Sequence, residues 1–243
     1  MGRHSKKKLK SETQKLKVII ILGPPGSGKG TQANLLAERF NLYYFETAKV
    51  GEERINKAKK GEYVLVDGKR YYFEEEKKLW QSGKLWSPPF ITLLVKDKIK
   101  SLAKEKQGII FAGSPRTLYE GERIIPLLKK LYGKENISVI LIEQSAKTSI
   151  FRNSHRRICK LLRHPILYNK ETVKLKYCPL DGSELIKRKG LDDPETIKVR
   201  LKEYKERTLP LIELFKQQGF KVKKINGEQS VADVFKDILK IFK

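Results

Sequence analysis

The sequence has few cysteines, comparatively few acidic residues and no long hydrophobic run. Only Cys159 and Cys178 occur among 243 residues, which argues against a disulfide-stapled secreted fold and favours a reducing compartment. No apolar run approaches the roughly 18 residues of a membrane span, and the basic N-terminus lacks the apolar core of a secretory signal. We therefore expect a cytoplasmic protein without a membrane partner, in which residues 1–16 form a disordered basic tail.

The shortage of acidic residues leaves a large positive charge. The chain has 28 acidic against 53 basic residues, for a net charge of +25. Such a field attracts polyanions, whether nucleotides or, without specificity, nucleic acids. A lysine-rich surface is more often a solvated face than a specific site, and no RNA-binding module with stacking aromatics is recognisable. Charge alone therefore does not identify the ligand.

The most informative stretch of the sequence lies between residues 17 and 40. Val18 to Leu22 is an apolar run typical of a strand buried on both faces. Glycines follow at four of the next eight positions, before a segment with helical periodicity: Gly23, Gly26, Gly28 and Gly30. A strand, a glycine-rich turn and a helix in this order form a phosphate cradle, in which Lys29 supplies a mobile positive charge. The following hydroxyl, Thr31, comes one position later than in G-x-x-x-x-G-K-[ST].

Other apolar segments predict a parallel sheet with helices on both faces. The strand candidates are Tyr43 to Phe45, Gly108 to Ala112, Ile137 to Ile142 and Phe220 to Ile225. Ligands bind such sheets at the carboxyl ends of the strands. Glu46-Thr47 and Ser114 to Thr117, which includes Arg116, therefore belong at the same sheet edge as the glycine-rich loop, Gly23 to Thr31. Asp67-Gly68 predicts a hairpin within Val64 to Phe73, and Asp192 to Gln218 predicts one long helix, kinked before Pro210.

Four motifs together identify a resemblance. GPPGSGKGTQ, GSPRT, FRNSHRRIC and LDDPETIKVRLKEY stand in this order, and with them the chain resembles the adenylate kinases, a nucleoside monophosphate kinase family, over roughly residues 17 to 243. The resemblance implies a P-loop NTPase-type α/β fold, with three α/β/α layers around a five-stranded parallel sheet. It implies a core (17–46, 107–151 and 191–243), an inserted NMP-binding arm (47–106) and an inserted lid (152–190).

The implied activity is reversible phosphoryl transfer from ATP to AMP, giving two ADP, with Mg²⁺ bound to ATP. A monomer with nucleotides as its partners is expected. Two alternatives remain at this point. The chain could phosphorylate another nucleoside monophosphate, or it could be a degenerate, nucleotide-dependent protein that binds RNA or another polyanion.

The resemblance also implies roles for individual residues. The donor phosphates are assigned to the loop and to two lid-edge arginines: Gly26, Ser27, Gly28, Lys29, Gly30, Thr31, Arg152 and Arg156. The acceptor nucleotide is assigned to Thr47, Arg54, Arg116, Glu120 and Arg200. The catalytic set is Lys29, Arg116, Arg152, Arg156 and Arg200. Arg188 or Lys189 corresponds to a further lid arginine, and Asp192 and Asp193 correspond to paired aspartates that seat the lid.

Several positions depart from the family pattern. An aspartate that helps to hold Mg²⁺ through water is replaced by Ala112, and the glutamine that reads the acceptor adenine is replaced by Glu120. A second acidic residue of the family is replaced by Lys49, and an acceptor-binding arginine is replaced by Glu52. Arg54, two residues later, is the candidate to take over the role of that arginine. Because every phosphate-binding group of the core is retained, we expect an active kinase that holds Mg²⁺ mainly through phosphates, Thr31 and water.

The lid carries part of a structural zinc site. Many bacterial relatives have two C-x-x-C pairs there, whereas this chain has Cys159 with Leu162, and Cys178 with Asp181. An aspartate can replace a thiolate on zinc, but a leucine cannot. His164 lies two residues beyond Leu162 and could complete the set. The alternatives are therefore zinc bound by Cys159, His164, Cys178 and Asp181, or two free thiols in a zinc-free lid.

Overall fold

The computed structural model describes residues 17–188 and 190–242. The expected basic tail (1–16) and Lys189 lie outside the described residues. At the centre is an all-parallel sheet of five strands, in the order β10–β6–β1–β5–β2. The strands are β1 (Val18–Leu22), β2 (Tyr43–Phe45), β5 (Ile109–Phe111), β6 (Ile137–Glu143) and β10 (Val222–Asn226). The predicted five-stranded parallel sheet is confirmed.

The sheet divides the hydrophobic core into two layers. Ile19 and Ile21 of β1 pack on one face with residues from helices α1 and α9, whereas Val18, Ile20 and Leu22 pack on the other with α4, α5 and α8. All five residues of β1 are buried, as expected for a central strand covered on both sides. These helices are α1 (Lys29–Phe40), α4 (Pro88–Lys104), α5 (Leu118–Tyr132), α8 (Leu211–Gln217) and α9 (Val231–Leu239).

The segment between β2 and β5 contains helices and a hairpin. It consists of α2 (Thr47–Lys57), β3 (Tyr63–Val66), β4 (Lys69–Tyr72), α3 (Phe73–Gln81) and α4. Strands β3 and β4 pair in antiparallel fashion. Asp67 and Gly68 between them have φ of 50° and 76°, and positive φ at both central residues is the geometry of a type I′ turn. The hairpin predicted from Asp67-Gly68 is confirmed.

The segment after β6 begins with α6 (Ala146–His155) and continues into an antiparallel sheet in the order β8–β7–β9. Its strands are β7 (Arg157–Cys159), β8 (Pro165–Ile166) and β9 (Leu185–Ile186). Across the described ranges, no helix is both long and apolar enough to cross a membrane.

The long helix predicted from Asp192 to Gln218 is divided. Helix α7 spans Pro194–Glu203, a π-helical turn follows over Tyr204–Thr208, and α8 begins only at Leu211. Pro210 has no N–H to donate and its ring crowds the preceding turn, which accounts for the break. The π-helical turn brings Thr208 to the sheet edge, where its hydroxyl donates to the Arg116 carbonyl oxygen at 2.8 Å.

Packing against Trp86, rather than backbone conformation, should make glycine necessary at position 51. It lies in α2, where a Cβ atom would stand 2.2 Å from the Trp86 ring. Alanine ordinarily stabilises a helix over glycine by roughly 0.5–1 kcal/mol. We predict the opposite here: Gly51→Ala lowers the free energy of unfolding by about 1–3 kcal/mol, because overpacking displaces the indole. Urea denaturation measures the change. Glu52→Ala, at an exposed position on the same helix, is the control, and a stabilised Gly51→Ala protein would contradict the packing.

Candidate functional site

The glycine-rich loop has the conformation of a phosphate cradle. Gly26 and Gly28 have φ of 80° and 87°, a left-handed region that disfavours side chains. A Cβ on Gly26 would also lie 2.4 Å from Asn153 Nδ2. The loop leads directly into the N-terminus of α1, where unpaired backbone N–H groups and the helix dipole favour an anion. The sequence between β1 and α1 therefore builds an anion site from its backbone.

Lys29 folds back over this loop. Its Nζ donates to the carbonyl oxygens of Gly23 at 2.7 Å and Pro24 at 2.8 Å. Burial, followed by the positive charges of Arg116, Arg200 and Arg156, holds the Lys29 pKa well below its ordinary value. The ammonium is thus placed where several cations already meet, and an anion bound among them would offset this repulsion.

Arg116 and Thr47 converge at the ends of neighbouring strands, β5 and β2. A Cβ on Gly113 would lie 2.9 Å from Arg116 Nη2 and 3.6 Å from Thr47 Oγ1. Burial lowers the Arg116 pKa, although the charges of Glu120 and Glu46 oppose the shift. A guanidinium stays protonated in proteins, so Arg116 presents a permanent positive charge at the sheet edge.

Asp192 is the shared counter-ion of three arginines. It accepts from Arg156 and, at 2.7 Å, from Arg188 Nη2, while Arg200 Nη1 stands 3.8 Å from the same carboxylate oxygen. Burial alone would raise the Asp192 pKa, but hydrogen bonds from Arg188 and Arg156 outweigh it and leave the pKa below its ordinary value. Burial, with repulsion from Arg188 and Arg156, lowers the pKa of Arg200. One carboxylate therefore faces three cations.

The loop and the cations around it line one cleft of about 1780 Å³. The cleft is also lined by residues from the segment between β2 and β5 (47–106, the proposed arm) and from the segment with the β8–β7–β9 sheet (152–190, the proposed lid). Arg152 reaches it from α6, where its Nη1 donates to the Gly227 carbonyl oxygen at 2.8 Å. Most residues proposed from sequence line the cleft: Gly26, Ser27, Gly28, Lys29, Gly30, Thr31, Thr47, Arg116, Arg152, Arg156, Arg188 and Arg200. The structure thus brings the proposed donor and acceptor groups together.

Two proposed acceptor residues lie elsewhere. Arg54 forms an ion pair with Glu62 and stacks on Phe73, with its guanidinium carbon 4.4 Å from the ring centroid. It is not among the described residues that line the cleft, so its acceptor role stays a prediction. Glu120 is buried in a recess beside the cleft. Burial raises its pKa, while the backbone N–H of Arg116 and the Ser114 hydroxyl oppose the shift.

Two further residues border the site without having been predicted from the sequence. The Tyr44 hydroxyl would lie 3.2 Å from a Cβ on Gly30, so the space beside Gly30 is tight. Trp86 lines the recess. Glu46, which the sequence placed at this edge with Thr47, lines the cleft at the carboxyl end of β2. No local signal pointed to Trp86, because it lies far from the sheet edge in sequence.

The four proposed zinc ligands of the lid come together. One ligand atom from each of Cys159, His164, Cys178 and Asp181 lies within 4.8 Å of the others. Cys178 Sγ is 3.8 Å from His164 Nδ1, and that nitrogen is 3.6 Å from Asp181 Oδ2. Two thiols, an imidazole and a carboxylate at these separations fit a tetrahedral site.

The comparisons with known proteins agree on one family. The adenylate kinase family model matches residues 21–220. The adenylate kinase of Methanothrix thermoacetophila is 34% identical over 226 residues, which cover 92% of this chain and 97% of the relative. That of Caldicellulosiruptor bescii is 34% identical over 232 residues, covering 91% and 97%. An adenylate kinase of Clostridium botulinum is 34% identical over 229 residues, covering 92% and 97%.

Asp192, the shared counter-ion, allows a direct test of the cation cluster formed by Arg156, Arg188 and Arg200. Asp192→Asn removes the carboxylate from three arginines, and we predict that it lowers the free energy of unfolding by about 3–5 kcal/mol, because buried charges lose their partner. Inorganic pyrophosphate should restore more stability to this variant than to the unaltered protein, since the anion replaces the lost charge. Thermal and urea denaturation measure both effects.

The neighbouring aspartate supplies the control for that variant. Asp193 caps α7 by accepting from the Thr196 N–H at 2.9 Å, and asparagine caps helices about as well. Asp193→Asn should therefore be nearly neutral and show no special response to pyrophosphate. Equal effects of the two substitutions would contradict the proposed cluster.

Proposed function

The chain belongs to the adenylate kinase family, and we propose that the cleft transfers a phosphoryl group from ATP to AMP, reversibly, giving two ADP. The observation that supports this proposal is that Lys29, Arg116, Arg156 and Arg200 all line the same cleft at the edge of the sheet, where the three arginines help to lower the Lys29 pKa. A site for one phosphate would not need so many partly buried cations. Two nucleotides whose phosphates meet end to end bring enough negative charge to match them.

The chemistry explains these residue types. In phosphoryl transfer the protein mainly positions the reactants and neutralises charge, and no protein nucleophile is required. Arginine serves this purpose because its planar fork binds phosphate oxygens in pairs. The antiparallel lid and the arm both contribute residues to the lining of the cleft. Closure of either segment would exclude water and strengthen each charge interaction.

The donor half of the site is the loop with the lid edge. Backbone N–H groups from Gly26 to Thr31 hold the phosphates of ATP, and Lys29 leaves its two carbonyl partners to bind the terminal phosphates. Arg156 moves from Asp192 towards the transferring group. Arg152, anchored at the Gly227 carbonyl, holds the donor nucleotide beside the loop.

The acceptor half lies at the ends of β2 and β5. Arg116 and Thr47, which converge above Gly113, hold the AMP phosphate. Arg200 reaches the same point from α7 and shares Asp192 with the lid arginines. The acceptor phosphate thereby lies in line with the terminal phosphate held by Lys29.

Magnesium fits this site although Ala112 supplies no acid. Mg²⁺ in such enzymes binds substrate phosphates, water and one or two oxygen ligands from the protein. Thr31 and Glu46 both line the cleft, and the pairing of Phe45 with Phe111 places Glu46 beside Ala112. Thr31 and Glu46 would hold the ion, Thr31 through its hydroxyl and Glu46 through its carboxylate. When bound, Mg²⁺ neutralises charge on the donor phosphates.

The cytoplasmic location and the monomeric state expected from the sequence stay predictions.

We further propose that the lid holds a structural zinc ion through Cys159, His164, Cys178 and Asp181. The support is the separation of the four ligand atoms, all within 4.8 Å. The lid is small, its strands have two or three residues, and it exposes Leu161, Leu162 and Leu180. A metal would stabilise a segment with so little core of its own.

The central prediction concerns two cations from different halves of the site. Lys29→Ala and Arg116→Ala should each lower kcat for ADP formation by at least about 100-fold, because each removes a charge that stabilises the transition state. A coupled assay with Mg-ATP and AMP measures the rate, and CMP, GMP and UMP test the alternative acceptors. Lys100→Ala, which removes an exposed lysine paired with Asp97, should leave the rate unchanged. Near-normal turnover in either cleft variant would place the site elsewhere.

The zinc proposal predicts about one zinc ion per purified chain. Cys159→Ser should lose the metal and lower Tm by about 5–10 °C, since the binding energy of a structural metal contributes to folding. Metal analysis and thermal denaturation measure the two effects. Lys160→Ser, at the exposed neighbouring position, should keep both the zinc and the Tm. Purified protein without zinc would instead support two free thiols in a zinc-free lid.

A further inference from the structure

The most exposed large apolar side chains of the lid lie on two neighbouring turns. Leu161, Tyr177 and Leu180 are 67%, 63% and 75% exposed. The two turns are joined, because the Leu161 N–H donates to the Ser183 hydroxyl at 3.1 Å and Tyr177 pairs with Glu184. Single exposed apolar residues are common on protein surfaces, whereas a group of them marks a surface that binds a partner. We call Leu161, Tyr177 and Leu180 the lid tip.

Closure of the lid over nucleotides does not account for the lid tip. None of its three side chains belongs to the described residues that line the cleft, whereas Leu162 and Tyr168 of the same segment do. Closure would therefore cover Leu162 and Tyr168 and leave the lid tip in solvent. A partner for the lid tip is to be sought outside the cleft.

The backbone of the lid tip is held in place in spite of its exposure. Asp181 lies between the two turns, where its carboxylate accepts from the Leu162 N–H at 3.3 Å and from the Ser183 N–H at 3.0 Å. The Leu180 N–H donates to Cys178 Sγ at 3.4 Å. The apolar side chains are thus presented by a pre-organised backbone, which lowers the entropy cost of binding. Because the Asp181 side chain is only 5% exposed, its charge does not face the surface.

Positive charges flank the lid tip. Lys160 directly precedes Leu161, and Lys176 directly precedes Tyr177. Between residues 160 and 187 the exposed charged side chains are mostly cations, namely Lys160, Arg163, Lys170, Lys174, Lys176 and Lys187, against the acids Glu171 and Glu184. Apolar side chains flanked by cations are complementary to a surface that is anionic outside and apolar beneath.

We propose that the lid tip binds the surface of an anionic phospholipid bilayer. Leu161 and Leu180 insert at the boundary between headgroups and acyl chains. Tyr177 lies at the headgroup level, where tyrosine is enriched, and Lys160 and Lys176 pair with lipid phosphates. The sequence-based expectation of no membrane partner rested on the lack of a spanning run, and a contact at the surface requires no such run.

The composition of the lid tip favours a lipid surface over a nucleic acid. Sites for single-stranded nucleic acids present aromatic rings on which successive bases stack. Two of the three side chains here are leucines, Leu161 and Leu180, which have no flat ring to offer a base but gain free energy when they leave water for acyl chains. Nucleic acid is therefore an alternative outcome of the test.

The first experiment measures co-sedimentation with vesicles made of equal parts of phosphatidylglycerol and phosphatidylcholine. The unaltered protein should bind them, less tightly as salt is added, and should not bind vesicles of phosphatidylcholine alone. Leu161→Ser should weaken binding by about 10-fold, because one apolar side chain no longer inserts. Leu65→Ser is the matched control, since Leu65 is 61% exposed in the β3–β4 hairpin, and should bind as the unaltered protein does. Both variants should keep kcat for ADP formation and their zinc content.

The flanking cations are tested in the same assay. Lys160→Gln should weaken binding to the anionic vesicles by about five-fold, the contribution of one lysine close to an anionic bilayer. Lys104→Gln, which removes an exposed lysine at the end of α4, should leave binding unchanged. Equal losses in the two variants would mean that net charge alone attracts the protein, and the inference would be wrong.

The second experiment looks for insertion directly and does not depend on a loss of binding. An indole ring that enters the apolar boundary of a bilayer shifts its fluorescence to shorter wavelength. Leu161→Trp protein should show this shift when the anionic vesicles are added, whereas Leu65→Trp protein should not. The two native tryptophans are the same in both variants and supply the common background.

The remaining outcomes each overturn the inference. If Leu161→Ser and Leu65→Ser bind the anionic vesicles equally well, the lid tip does not insert. If the unaltered protein ignores the vesicles but binds a labelled oligouridylate, and Leu161→Ser weakens that binding, the lid tip belongs to a nucleic acid instead. Neither result touches the proposed function, because kcat for ADP formation is measured separately.

Discussion

The gathering of several positive charges at one sheet edge governs how the site is built. Lys29, Arg116, Arg156 and Arg200 are partly buried and line the same cleft. The three arginines contribute to lowering the Lys29 pKa, and Asp192 pairs with Arg156 and lies 3.8 Å from Arg200. Arginines do not relieve such repulsion by losing protons, so a bound phosphate would offset it.

The architecture accounts for how these charges are brought together. Parallel strands end at one sheet edge, so the loop after β1 and the turn after β5 meet there although α1, β2 and the whole segment from α2 to α4 lie between them in sequence. The arm and the lid are inserted at that edge and carry further groups to it. Because Asp192 also binds Arg188 and Arg156, the lid and α7 are coupled through one carboxylate. Binding of phosphates by these arginines would release that carboxylate, which links ligand binding to movement of the lid.

The sequence predicted the features that depend on local pattern. The apolar run of β1, the glycine-rich turn before α1 and the Asp67-Gly68 turn each have a short-range physical signature, and the structure has them as predicted. The features it did not predict depend on long-range packing. Arg54 turned to Glu62 and Phe73, which no spacing reveals. The recess lined by Trp86 is formed by segments from three parts of the chain, and the three donors to the Glu120 carboxylate come from the turn after β5; neither arrangement has a short-range signature.

In the proposed mechanism the cleft holds two nucleotides whose phosphates meet among these cations. The most direct measurement is calorimetric titration with a dinucleotide in which five phosphates join two adenosines. We expect one molecule to bind per chain, more tightly than ATP or AMP alone, and to exclude both nucleotides. Arg116→Ala and Lys29→Ala should each weaken this binding. If the dinucleotide excludes ATP but leaves AMP binding intact, the cleft is not a two-nucleotide site and the proposed mechanism is wrong.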